Sequence, residues 1–201
     1  MVGRNECKEG AVVRRTVLSM GLMAAMMLSA AQARECKGVD FPEHLQVSGH
    51  DLTLNGLGMR KATFLKINVY VGALYVTRPA HEAQPLIDPG TPAQLILHFV
   101  RNVSAGQMRD AWDEAFEKVA SGQGAFAPKI ATLDSWMTDL KTGQRLVFTR
   151  IPGAGIEVSV NGAVKGTLAG DDFARALLSI WLGDSPPNPE LKTGLLGGEC
   201  D

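Results

Sequence analysis

Residue types that usually carry chemistry are scarce in this sequence. Of its 201 residues, two are tyrosines, three are cysteines and four are histidines, and aromatic residues make up 6%. The histidines (His44, His50, His81 and His98) show no metal-ligand spacing. There is no GxSxG, HExxH, CxxC, Walker loop or GxGxxG, so the local signatures of common hydrolases, zinc proteases, dithiol enzymes and nucleotide binders are missing, and no motif calls for a metal or cofactor. Charge of one sign is missing too. The chain has 20 Lys+Arg against 21 Asp+Glu with no basic cluster or stripe, which argues against nucleic acid as a partner. Past residue 33 no apolar run approaches the ~20 residues that span a bilayer.

The first 33 residues differ from the rest. Arg4, Lys8, Arg14 and Arg15 form a basic start, residues 16–30 are uncharged and largely apolar, and Ala31-Gln32-Ala33 is a small-x-small cleavage site. That order predicts a cleavable secretory signal over 1–33 and a domain over 34–201, located in the periplasm or secreted. A membrane anchor is the alternative, but the run is short for one and ends in a cleavage site. Arg14-Arg15 leaves a twin-arginine signal open. Without residues 1–33 the formal charge is near −3.

Of the cysteines, Cys7 leaves with the signal, while Cys36 and Cys200 sit at the two ends of the domain. Domain termini often lie close together, and an oxidising compartment permits a bridge, so a Cys36–Cys200 disulfide is expected. Two free thiols on frayed tails are the alternative.

Along the domain, strand signals come first. Residues 45–54 carry a Gly49-His50 turn signal, 59–67 follow, and 68–77 are rich in β-branched and aromatic residues. The last of these is apolar on both alternating sets, so it should be covered on both faces. Residues 79–93, with four prolines, read as a connection with room for a short helical turn, and 95–100 as a strand. Ser104 and Gln107 make a capping box for a helix whose apolar stripe is Met108, Trp112, Ala115, Phe116 and Val119, stopped at Gly122. A second helix starts at Pro128, with the stripe Ile130, Leu133, Met137 and Leu140, and closes at Gly143.

Strands at 144–151, 156–160 and 163–168 follow, the last two joined by the hairpin dipeptide Asn161-Gly162. Asp171 or Asp172 caps a helix bearing Phe173, Ala176, Leu177, Ile180 and Trp181, and Pro186, Pro187 and Pro189 carry the tail to the surface. Strands, two helices, strands, one helix: the order predicts an α+β domain, an antiparallel sheet with helices on one face.

The candidate site comes from residues 56–76. Arg60 follows the glycine turn Asn55-Gly-Leu-Gly58, and Tyr70 and Tyr75 lie on the next strand. A guanidinium fork beside phenols, at the mouth of a sheet–helix cleft, suits a carboxylate or phenolate. An ordinary exposed strand charge is the alternative for Arg60. His98, in an apolar strand, reads as a core histidine rather than a catalytic one.

The segments Met59-Arg60-Lys61 and 64–76 (FLKINVYVGALYV), with 99–104 (FVRNVS), Asn161-Gly162 and 180–184 (IWLGD) in that order, resemble the chalcone isomerase family, above all its exported bacterial members. The resemblance spans about residues 38–198. It implies an open-faced β-sandwich, a large antiparallel sheet under a layer of helices with a cleft between them. It also implies two functions. Plant enzymes of the family cyclise a chalcone to a flavanone, with an arginine polarising the substrate and a threonine, a tyrosine and an asparagine assisting; other members bind fatty acids through the arginine and a tyrosine.

Arg60 matches the family arginine, and the threonine position falls at or next to Tyr70, as in the fatty-acid binders. Met108 and Ala115 fall where the enzymes carry tyrosine and asparagine, and neither donates a side-chain hydrogen bond. The first expectation is therefore a binder of a small amphipathic anion such as a fatty acid. Arg60 would be its anchor, Tyr70 its donor, and Met108 and Trp112 its apolar wall, although plain core is the alternative for the last two. An intramolecular lyase of the chalcone isomerase type, with Arg60 as catalytic residue, is the second expectation. The third is a partner-binding domain, which a filled interior beside Arg60 would favour.

Overall fold

The computed structural model describes residues 32–62, 65–119 and 123–201. The predicted signal, but for its last two residues, and the Gly122 stop lie outside the described residues. A hairpin of β1 (Ala33–Cys36) and β2 (Val39–Pro42) leads in. It is followed by β3 (His44–Val47), β4 (His50–Ala62), β5 (Ile67–Val76), β6 (Ala93–Phe99), β7 (Arg145–Ile151), β8 (Gly155–Val160) and β9 (Ala163–Ala169). These last seven strands form one antiparallel sheet whose spatial order is the chain order. Asn161 and Gly162 take positive φ, 49° and 83°, and make the tight β8–β9 turn that the dipeptide predicts.

Five α-helices complete the described chain: α1 (Ala83–Ile87), α2 (Ala105–Val119), α3 (Ala127–Trp136), α4 (Asp171–Leu182) and α5 (Pro189–Leu195). The capping box at the start of α2 is formed in both directions. The Ser104 N–H donates to Gln107 Oε1 at 3.0 Å, and the Gln107 N–H donates to Ser104 Oγ at 3.2 Å.

The sheet separates two apolar clusters. On the helix side Tyr70, Leu74, Leu97 and Phe148 pack against Trp112, Phe116, Phe173 and Trp181. On the other side Leu52, Met59, Val71 and Tyr75 meet Cys36 and Phe41 of the β1–β2 hairpin. This covers β5 on both faces, as its composition predicts, and gives the α+β open-faced architecture. Both clusters lie wholly within residues 36–200, so this unit carries its own core. A disulfide joins Cys36 to Cys200 with their Cα atoms 5.9 Å apart, the usual spacing for such a bridge.

Four sequence expectations are corrected. First, helix α3 ends at Trp136. Met137 is extended, and Leu140 exchanges two 2.8 Å backbone hydrogen bonds with Val103, so the rest of the predicted stripe is buried as a β-bridge. Second, the N-cap of α4 is Gly170. Asp171 and Asp172 occupy the first turn, where their charge still suits the helix dipole, and Asp171 accepts the Gly153 N–H at 3.1 Å.

The third and fourth belong together. The tail past the prolines is not a surface strand-out: α5 folds back with Leu191 and Leu195 fully buried. Gly56 and Gly58 are not a turn; they sit inside β4 as the platform on which α5 lies. A Cβ at Gly56 would stand 2.1 Å from the Gly194 carbonyl oxygen, and one at Gly58 would stand 2.4 Å from that of Leu191. Only glycine allows this approach. Asn55 occupies the adjacent bulge in β4. It is buried, donates to the Leu195 carbonyl at 2.7 Å and accepts the Ala80 N–H at 2.7 Å.

Candidate functional site

Strand alternation sets the site. Arg60 on β4 and Tyr70 on β5 are cross-strand partners on the helix-facing side. Tyr75, five residues further on, has the opposite parity and is removed from the site. It lies fully buried under the β1–β2 hairpin, where its hydroxyl donates to the Pro42 carbonyl at 2.8 Å. Between the sheet and helices α2 and α4 lies a cleft of about 260 Å³. Its sheet wall includes Arg60, Tyr70, Leu97 and Phe99, and its helix wall Met108, Trp112, Ala115 and Trp181. Arg60, Tyr70, Met108 and Trp112 thus line one cleft. The volume sits just below the range of about 300–1,000 Å³ common for small-molecule pockets.

At the deep end, Trp181 of α4 donates its Nε1–H to the Tyr70 hydroxyl at 2.9 Å, and both groups are buried. Burial pushes the Tyr70 phenol up to about 12, with the Trp181 hydrogen bond and the Arg60 charge pulling the other way. Tyr70 is therefore a neutral phenol at pH 7. Its oxygen is engaged by tryptophan, which leaves its one proton to donate. The Tyr70 ring meets Phe99 edge-on at 5.5 Å, and Trp112 stands edge-on to both Phe148 and Trp181, so the deep wall is a rigid aromatic cluster.

Arg60 is half-buried near the mouth. Its Nη1 donates to the Lys61 carbonyl, and no carboxylate pairs with it among the described residues. The neighbouring anion, Glu114, is already engaged by Lys118 at 2.6 Å, which holds its carboxyl below the usual range. The guanidinium keeps donors to spare for an anion in the cleft. Met108 and Ala115 line the cleft as well and supply no polar group to it.

Sequence reasoning missed Trp181 as a site residue and Ser185 and Pro187 as lining. For Trp181 a signal existed, since a buried indole usually needs an acceptor and Tyr70 was the free phenol. For the other two none did, because α5 was not foreseen. His98 belongs to the opposite face, where it accepts a hydrogen bond from Arg145 Nε at 3.1 Å and meets Phe41 edge-on. Burial, then the Arg145 charge, lowers its pKa and keeps the ring neutral.

Comparison with known proteins fits this architecture. No curated protein matches the chain. Among solved structures 38 chains match, including the Arabidopsis thaliana fatty-acid binding protein AtFAP1. That likeness has a TM-score of 0.65 at 15% identity and covers 82% of this chain and 96% of that one, which establishes a common fold. A family model described as chalcone isomerase-like matches residues 33–197. With a seven-stranded meander, a helical layer and a family match over most of its length, this chain belongs to the chalcone isomerase-like family.

Proposed function

We propose that this protein is an exported, non-catalytic binder of a small amphipathic anion, a fatty acid being the best fit. One observation carries the reading. A guanidinium with no carboxylate partner and a neutral phenol with a free proton are cross-strand neighbours lining one aromatic cleft. A carboxylate accepts from both, and an alkyl chain fills the space among Met108, Trp112 and Phe99. The similarity to a fatty-acid binding protein supports the ligand class. Residues 1–33 support export, and the mass of the protein recovered from the cell envelope and medium tests whether they are removed.

An intramolecular lyase needs further groups to stabilise a developing enolate and move a proton, and Met108 and Ala115 offer neither. The open cleft argues against a filled, purely partner-binding domain.

The test is calorimetric titration of residues 32–201 with a fatty acid, alongside mass spectrometry of lipid retained on gentle purification. A hydrogen bond to a charged group contributes about 1.5–3 kcal/mol, so Arg60→Ala should weaken binding roughly 10- to 150-fold. Tyr70→Phe should weaken it less. Unchanged affinity in Arg60→Ala removes the anchor. Acceleration of hydroxychalcone cyclisation above the spontaneous rate would move the protein to the enzymes.

A further inference from the structure

We propose that the tip of the β4–β5 hairpin docks on an anionic phospholipid bilayer and holds the mouth of the cleft against it. Three large hydrophobic side chains stand exposed among the described residues: Leu65 (65%), Ile67 (38%) and Val164 (62%). Single exposed apolar residues are ordinary. Leu65 and Ile67, however, share one hairpin end, and that end continues directly into the cleft. Ile67 pairs with Ala62 across the strands, and Ala62, Arg60 and Val69 of the same two strands line the cleft. An exposed apolar pair is thus within a few residues of the opening on a rigid β-ribbon.

Charge complementarity selects the occupant. Lys61 and Lys66 flank the apolar pair, and Arg60, Arg101 and Lys118 line the cleft. The acids nearby are Glu114, already bonded to Lys118, and Glu190, which feels both Lys61 and Lys66. This edge is therefore net positive on a chain whose formal charge is −1. Short aliphatic side chains between lysines are what an interfacial anchor needs. The apolar groups enter the acyl boundary, and the ammonium heads stay with the phosphates while their stems lie along it. Docking in this orientation lets an amphiphile pass between bilayer and cleft without crossing bulk water. The surface contact does not depend on what occupies the cleft.

Vesicle flotation of residues 32–201, the unit that contains both cores and the disulfide, tests the proposal. Wild type should float with vesicles containing phosphatidylglycerol. It should bind pure phosphatidylcholine much less, and high salt should release it. The double variant Leu65→Asp/Ile67→Asp should lose about tenfold or more in partitioning, whereas Val164→Asp, equally exposed on the far β8–β9 hairpin, should retain wild-type binding. Unchanged melting and unchanged affinity for a fluorescent fatty acid in solution show that the double variant is folded with its cleft intact. If wild type binds no fatty acid yet floats, the cleft reading fails and the docking stands. The proposal is overturned if wild type does not float, if the double variant floats as well as wild type, or if Val164→Asp loses as much.

Discussion

Substituting alanine at Gly56 adds one methyl group to a protein of 201 residues, and the fold predicts a large response. The new Cβ would stand 2.1 Å from the Gly194 oxygen, 2.7 Å from the Gly197 nitrogen and 2.7 Å from the Leu195 oxygen. All three are backbone atoms, so no rotamer change relieves the overlap. Either α5 lifts off β4 by about an ångström, which resembles the overpacking that costs about 1–3 kcal/mol, or it detaches.

Detachment exposes Leu191 and Leu195, about 1.5–3 kcal/mol each, and orphans the buried Asn55 amide bonded to Leu195, about 1–3 kcal/mol more. The chain takes the cheaper course or a mixture of the two, so a loss near 3 kcal/mol is expected, seen as a melting temperature roughly 6–12 °C lower. Because Ser185 and Pro187 line the cleft just before α5, ligand affinity should fall too. Gly124→Ala is the control: a Cβ there meets nothing within 4 Å. The assay is urea and thermal unfolding, with hydrogen exchange across residues 189–197. If Gly56→Ala melts within a degree of wild type and residues 189–197 stay protected, the glycine platform is not what seats α5.

Other perturbations have equally definite outcomes. Burial, and next to it the Asp113 charge, pushes the Asp134 carboxyl up to about 6, with Arg109 opposing. A raised acid binds its proton more tightly in the folded state, so its stabilising effect is full below about pH 4 and is lost as pH rises through 6. Asp134→Asn should therefore raise the melting temperature at pH 7 and leave it unchanged at pH 4; equal effects at both would refute the assignment. Arg150, 1% exposed, donates to the carbonyls of Leu86 and Thr91 and to the Thr91 hydroxyl, and a lysine ammonium cannot reproduce that fork. Arg150→Lys should cost about 2–4 kcal/mol in chemical denaturation. Reduction of the Cys36–Cys200 bridge, which spans 164 residues, should lower stability by up to about 5 kcal/mol in the chain-entropy model, read as urea unfolding with and without reductant.

Where local chemistry decides structure, the sequence was legible. The Ser104/Gln107 box and the Met108–Trp112–Phe116 stripe mark α2, Asn161-Gly162 marks its hairpin, and the position of Cys36 and Cys200 at the two ends anticipates their bridge. Arg60, Tyr70, Met108 and Trp112 meet in one cleft because β4 and β5 are neighbours and α2 packs on them, and each of those elements has a strong local signature. Failures came where a distant partner decides. Gly56 and Gly58 look like a turn until α5 is laid on them, and Leu140 obeys a helical stripe until Val103 offers it a strand partner. Three prolines hid α5, although Pro189 serves as a helix-starting residue. Tyr75 could have been excluded by parity alone.

Since every strand of the main sheet bonds to the strand made just before it, a growing or translocating chain can add strands one at a time, each onto a neighbour already present. The clasp between positions 36 and 200 obeys the opposite rule. It can close only when the last residues have emerged and the final helix has been laid on its glycine seat. The bond that secures both ends is thus the last step of assembly, and a chain lacking its final dozen residues would build the sheet with nothing to fasten it.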